Sequence, residues 1–329
     1  MKKLMNAADT VLAESLDGFA ASHADIVVLG PERKFVRRRL PKSGKVALLS
    51  GGGSGHEPLH AGFVGVGMLD AACPGQVFTA PTPDQMAEAA AAIDAGAGCL
   101  FIVKNYEGDV MNFEMAAEIV GREVRTIVTD DDVAVETSTY STGRRGVAGT
   151  LIVEKMVGAA AEAGRDLMAL QALGKDVNVR TRSMGVALTS CTVPAAGKPT
   201  FQLGEDEMEM GVGIHGEPGR QRLKIADADA ITEMLLKPII EDIPFKSGDN
   251  VLLFVNSMGG TPAIELYVVY RKAHEKLTKA GIKVTRNLVG PYITSLEMAG
   301  TSITVLKLDD QLTKLWDAPV HTPALRWGA

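Results

Sequence analysis

The sequence predicts two α/β domains, each a largely parallel or mixed sheet flanked by helices. Three observations carry that expectation. Short β-branched or apolar runs alternate with helical patterns and Gly-rich turns from residue 46 to residue 163, and a βαβα order implies a parallel sheet with helices on both faces. The pattern then restarts beyond a polar stretch, Asn178-Val179-Arg180-Thr181-Arg182. Finally, 329 residues at roughly 150 per domain make about two domains. The expected division is 1–182, carrying a Gly-rich segment, His56 and Asp109, and 183–329, carrying His215.

The elements follow in order. Leu4 to Phe19 reads as an amphipathic helix. Val46 to Leu49 reads as a buried strand running into Ser50-Gly51-Gly52-Gly53-Ser54-Gly55-His56. Asp84 to Ala95 is Ala-rich and helical, with Pro83 near its start, where a missing N–H costs nothing. Cys99 to Val103 is a strand, Val110 to Val120 a helix, Val124 to Val128 a strand and Val147 to Ala163 a long helix. In the second half, strands fall at Gly185 to Leu188, Glu209 to Ile214, Val251 to Val255, Val284 to Leu288 and Ser302 to Leu306. Helices fall at Ala226 to Leu236 and Pro262 to Lys279.

Composition excludes several classes of function. The net charge is −6, so no domain-wide basic field attracts nucleic acid or anionic lipid. The run Lys34 to Arg39 is short and reads as a solvated loop. No apolar stretch nears the roughly 20 residues that span a bilayer. Three widely spaced cysteines, Cys73, Cys99 and Cys191, argue against a disulfide framework or a Cys-rich zinc site. The expected location is the cytoplasm. Glycine is in excess, 35 of 329 residues against about 7% in typical proteins. Aromatic residues make up only 5%.

Ligands in α/β sheets sit beyond the carboxyl ends of strands, so the loops there come first. SGGGSGHEP at 50–58 reads as a nearly bare loop, able to aim several N–H groups at an oxygen-rich ligand. It is neither a Walker A loop nor a dinucleotide fingerprint. His56 at its end favours a ligand-facing ring over a flexible turn. Asp109, in KNYEGD at 104–109, precedes a helix. A helix N-cap and a general base for a hydroxyl are equally good readings. In Met208 to Gly219, strand alternation places Glu209, Gly211, Gly213 and His215 on one face. The two glycines leave room beside His215 and favour an accessible imidazole.

Other signals are weaker. Asp130-Asp131-Asp132 reads as a loop or interface carboxylate cluster rather than a metal site. GRRGVAG at 143–149 could hold an anion at a helix start. CTVPAAGKP at 191–199 looks like a turn, with no support for Cys191 as a nucleophile. His23, His60, His274 and His321 have no partner pattern and read as structural or surface residues.

Taken together these segments resemble one family. SGGGSGHEP, ACPGQVFTAPTPDQ at 72–85, KNYEGD, DDDVAV at 130–135, GRRGVAG, CTVPAAGKP, GVGIHGEPG at 211–219 and LWDAPVHTPALRWG at 315–328 are similar, in the same order, to the ketone-binding K subunit of dihydroxyacetone kinase. The resemblance implies that His215 attacks the ketone carbonyl and holds the substrate as a covalent hemiaminal. It also implies that His56 and Asp109 contact the substrate hydroxyls and move the proton of the one phosphorylated. Gly53, Ser54, Gly55, His56, Lys104 and Asp109 match the substrate-binding positions.

The chemistry suits such a ligand. A triose buries little apolar area, so a covalent bond to a neutral imidazole supplies affinity and rejects alcohols without a carbonyl. Capture should then weaken well below the imidazole pKa of about 6.5. The chain has no P-loop and no protein-kinase motifs. The resemblance therefore implies no cofactor or metal on this chain. ATP or ADP with Mg²⁺ is expected on a separate L-type subunit, which in bacterial systems a phosphotransferase-system protein recharges. A homodimer is expected as well. The alternatives are a kinase subunit for another short ketose such as erythrulose, or a non-catalytic ketone sensor. The presence of both His56 and Asp109 favours catalysis, because capture alone needs mainly His215.

Overall fold

The computed structural model describes residues 2–136 and 138–329. The first half builds one six-stranded sheet from β1 (Val27–Leu29), β2 (Val36–Arg38), β3 (Ala47–Ser54), β4 (Ala71–Val77), β5 (Cys99–Lys104) and β6 (Val124–Thr129). Their order is β1-β2-β4-β3-β5-β6. The four strands β4, β3, β5 and β6 are parallel, and β1 and β2 form an antiparallel edge. Its helices are α1 (Val11–Ser22), α2 (Pro83–Ile93), α3 (Glu107–Val120), α4 (Gly149–Glu162) and α5 (Leu167–Val179).

The second sheet contains β7 (Thr181–Ala187), β8 (Glu207–Met210), β9 (Gln221–Lys224), β10 (Asn250–Ser257), β11 (Lys283–Gly290) and β12 (Gly300–Leu308), in the order β11-β10-β12-β7-β8-β9. Only β10 and β11 pair in parallel; the other pairings are antiparallel. Helices α6 (Ala228–Asp242), α7 (Ala263–Lys279) and α8 (Asp310–Asp317), and the hairpin of β13 (Val320–His321) with β14 (Arg326–Trp327), complete the chain.

Helix α4 joins the halves. It packs on β5 and β6 of the first sheet and on β7 of the second. One apolar core runs from Leu100 and Ile102 of β5, through Leu151 to Ala161 of α4, to Leu252 and Phe254 of β10. Every residue of α4 from Gly149 to Ala161 is buried, as a helix apolar on all sides requires. Two residues in that stretch are charged, Glu154 and Lys155, and both are fully enclosed.

Several expectations need correction. The first helix begins at Val11, not Leu4, and the Leu4 side chain is exposed. The Lys34–Arg39 run is not all solvated loop, because Arg38 lies in β2 and ion-pairs, buried, with Asp70. The glycines at 51–53 are not a loop. They belong to β3 and pair with Cys73, Pro74 and Gly75 of β4. Strand β8 stops at Met210, because Gly211 takes the left-handed region at φ +77°. The alternation expected to continue to His215 therefore fails.

The triple aspartate is structural. Asp131 accepts the N–H groups of Val147 and Gly149 at the start of α4, at 2.9 and 2.7 Å. The anion expected at that helix start is thus the protein's own carboxylate.

Candidate functional site

The carboxyl ends of β3 and β5 meet the loop after β8 across a cleft of about 610 Å³. Gly53, Phe78, Tyr106, Asp109 and His215 are among the residues that line it. His56 and Lys104 lie just beneath, buried.

The path to His56 is set by close packing. A Cβ on Gly53 would stand 2.5 Å from the Thr79 backbone nitrogen, and one on Gly55 would stand 2.8 Å from the Phe78 ring. Gly55 also takes a positive φ, +102°, which only glycine adopts at little cost. The turn it makes lays His56 on Phe78, with ring centroids 5.0 Å apart and planes 16° from parallel. The His56 Nδ1–H donates to the Thr294 carbonyl at 2.8 Å. A carbonyl can only accept, so Nε2 keeps its lone pair, and that nitrogen is buried with no partner. Burial, with help from His215 and Lys104, holds the ring pKa well below 6.5. His56 is therefore a neutral base at pH 7.

His215 stands edge-on to His56, with centroids 4.7 Å apart, and edge-on to Tyr106 at 4.5 Å. Glu217 grips it twice. The His215 backbone N–H donates to Glu217 Oε2 at 2.9 Å, and the ring Nδ1–H donates to Oε1 at 3.1 Å. Burial alone would raise the pKa of Glu217, but His215 and Arg145 outweigh it and hold the carboxyl down at about 2. An ionised acceptor on Nδ1 leaves Nε2 as the lone-pair nitrogen. The room expected beside His215 is therefore filled by design: a Cβ on Gly213 would overlap the Glu217 carboxylate. Arg145, fully buried, is itself held by Asp132 at 2.6 Å and by the Gly211 carbonyl at 2.7 Å.

Asp109 is not the helix cap. Tyr106 holds that position, and Asp109 lies in the first turn of α3. Its Oδ1 is buried without a partner, and Oδ2 lies 3.5 Å from Lys104 Nζ. Burial raises its pKa against the pull of Lys104 and His215.

The other expected contact residues are already engaged. The Ser54 hydroxyl donates to the Gly75 carbonyl at 2.7 Å. The Gly55 N–H donates to Glu57 at 3.0 Å. Cys191 is buried beside Ser295 and Thr200, with its thiol pKa raised by burial.

Sequence reasoning assigned no role to Glu217, Phe78, Tyr106 or Glu154 and read His60 as structural or surface. Glu217 stands two residues from His215 within one motif. Glu154 had a visible signal too, a charge in the middle of the apolar run Leu151 to Ala161.

Fold and site together define an α/β protein whose two sheets bring an accessible histidine, a buried neutral histidine and a carboxylate to one cleft. Residues 17–324 match the model of the Dak1 domain, and the chain belongs to that family. It is 48% identical over 355 aligned residues, spanning 100% of both chains, to the Escherichia coli (strain K12) PEP-dependent dihydroxyacetone kinase, dihydroxyacetone-binding subunit DhaK. It is 53% identical, over 94% of this chain and 95% of the other, to a Listeria innocua PTS-dependent dihydroxyacetone kinase 1, dihydroxyacetone-binding subunit DhaK. Among solved structures, it superposes on a dihydroxyacetone kinase operon co-activator, Dha-DhaQ, with a TM-score of 0.90. That pair is 32% identical, over 94% of this chain and 97% of the other. Among the described residues, no helix is long and apolar enough to cross a membrane.

Proposed function

We propose that this chain is the dihydroxyacetone-binding subunit of a dihydroxyacetone kinase and captures its ketone covalently on His215. The observation that carries this reading is the tautomer pair. Glu217 takes the Nδ1–H of His215, and Thr294 takes that of His56. Two Nε2 lone pairs are thereby left on rings 4.7 Å apart.

In the capture step, His215 Nε2 forms a bond to the carbonyl carbon. The C=O π pair moves onto oxygen, which takes a proton from solvent and becomes a hydroxyl, balanced by the ring proton that is later given back to solvent. The ring charge that develops is met by the Glu217 carboxylate, and release of the Nδ1 proton returns the ring to neutral. In the transfer step, a terminal hydroxyl would lose its proton to Asp109 Oδ1 or His56 Nε2 as its oxygen attacks the terminal phosphorus of the nucleotide on the partner subunit, and the P–O bond to that nucleotide's diphosphate would break, leaving the diphosphate on the partner. Both acceptors are free of other partners. Such proton transfer contributes typically 10²–10⁴-fold.

The nucleotide, with Mg²⁺, resides on an L-type partner, and a phosphotransferase-system protein renews its phosphoryl group. The PEP- and PTS-dependence in the relatives' names supports this donor. Homodimeric assembly and a cytoplasmic location belong to the same reading and rest on family resemblance.

A second reading has one observation in its favour. The Dha-DhaQ structure, similar over nearly its whole length, carries the name of an operon co-activator. A ketone sensor needs His215 and no transfer step. Incubation with dihydroxyacetone, an L-type subunit and either ATP or the phosphotransferase components separates the two. Dihydroxyacetone phosphate should form with one donor. Ketone capture without product under every donor would establish the sensor.

A further inference from the structure

Behind the cleft, a row of buried side chains runs from the site into the core helix α4. Lys104 Nζ lies 3.5 Å from Asp109 Oδ2 and 3.0 Å from His60 Nε2. On the other side of the imidazole, His60 Nδ1 lies 2.6 Å from Glu154 Oε1 and 3.0 Å from the Ser50 hydroxyl. Lys104 and Glu154 are fully enclosed, and His60 nearly so.

With Lys104 as the ammonium and any proton of Glu154 on its unpartnered Oε2, the protons in this row have one consistent arrangement. An ammonium only donates, so His60 must offer Lys104 the lone pair of Nε2. Its proton is then on Nδ1 and needs an acceptor. Glu154 Oε1 is that acceptor at a short distance. The Ser50 hydroxyl gives its own proton to the Ile102 carbonyl at 2.6 Å.

We propose that His60 and Glu154 are positioning residues for the catalytic site: Glu154 fixes the His60 tautomer, and the His60 lone pair anchors the Lys104 ammonium beside Asp109. The proposal rests on the reading of Asp109 and Lys104 as substrate-contacting groups.

Three further observations support it. First, the Lys104–Asp109 separation of 3.5 Å exceeds the 2.7–2.9 Å of a strong charge-assisted hydrogen bond. The bond to His60 is shorter, so His60 is the firmer anchor. Second, β3 is thinned to make the crossing possible, because a Cβ on Gly52 would overlap Lys104 Nζ. Third, a buried ammonium is costly unless it is hydrogen-bonded and paired. His60 supplies the hydrogen bond and Asp109 the countercharge. With the other tautomer, an N–H would face the ammonium and push it from this place. Asp109 would then lose the cation that opposes its burial and bind a proton more readily.

The test uses the full chain with its L-type partner. His60→Phe removes the anchor, whereas His60→Gln keeps an acceptor. Five groups bear on the charge of Asp109: Lys104 and His215 directly, Tyr106 in the same cleft, and His60 and His56 through Lys104. In His60→Phe, kcat should fall about 10- to 100-fold, part of the 10²–10⁴ that proton transfer contributes. The KM for dihydroxyacetone should stay within about threefold, because His215 does the capturing, and the acid limb of the kcat–pH profile should move up. His60→Gln should recover much of kcat and the wild-type limb. Unchanged kcat and limb in His60→Phe would overturn the proposal, as would equal loss in both variants with both folded.

A second measurement needs neither variants nor turnover. The ¹⁵N shifts of the His60 ring in the unmutated protein should show Nδ1 protonated and Nε2 bare. The reverse pattern would overturn the proposal even if kinase activity is confirmed. Absence of turnover in the wild type would instead count against the functional reading.

Discussion

The most exposed step in this mechanism is the part given to Glu217, which Glu217→Gln tests. The substitution keeps the size and one acceptor oxygen but removes the charge that faces His215 Nδ1–H at 3.1 Å. The magnitude follows from the carboxyl itself. It is held at about 2, against an ordinary 4.5, in spite of burial, so it meets the ring as an ionised acceptor in a charge-assisted hydrogen bond. His215 and Arg145 hold it there, with His215 the larger partner. A hydrogen bond to a charged group is worth roughly 1.5–3 kcal/mol, so about 10- to 100-fold in ketone affinity depends on the carboxylate. Calorimetric titration with dihydroxyacetone reads this directly, with a urea unfolding curve to confirm that the variant is native. Binding within twofold of wild type by a folded Glu217→Gln protein would refute the role given to the carboxylate.

Capture and transfer should separate by mutation. Asp109→Asn should still form the ketone adduct but lose about 10²–10⁴-fold in turnover with the L-type partner; loss of the adduct would place Asp109 in capture instead. Glu154 predicts a pH-dependent stability difference. Burial raises its pKa to about 8, so the folded state holds a proton that the unfolded chain releases near 4.5. That contribution is complete below about 4.5 and is lost as pH rises toward 8. Relative to Glu154→Gln, the wild type should therefore lose about 1.4 kcal/mol per pH unit within that window. Urea titrations at pH 5, 6 and 7 measure it, and a constant difference would contradict the burial argument.

How far the sequence discloses this molecule depends on the range of the interaction concerned. His56, Asp109 and His215 are visible because each sits in a local glycine-bearing motif at a strand end, and the structure brings all three to one place. The parallel core β4-β3-β5-β6 is legible for a similar reason, since apolar runs alternate with helical ones. The second sheet is less so. Strand β8 is legible by its alternation but overrun, since the positive φ of Gly211 ends it at Met210; β9 is four residues, too short for periodicity to register, and antiparallel pairing leaves no mark of its own in the sequence. The glycines at 51–53 were legible as an anomaly but not as a strand. Their cause is the Cys73 backbone, Thr79 and Lys104 pressing on β3, all distant in sequence. His60 and Glu154 are 94 positions apart. No local pattern joins them, so a buried array of this kind emerges only once α4 is seated against β5.

The central claim is that a histidine, poised by a carboxylate, bonds to a ketone. The direct measurement is ¹³C NMR of dihydroxyacetone labelled at its carbonyl carbon and mixed with the purified chain. A tetrahedral carbon signal bound to protein is expected with wild type and none with a folded His215→Ala variant. A bound ligand whose carbon remains a ketone in the wild type, or an adduct that persists in His215→Ala, would contradict it.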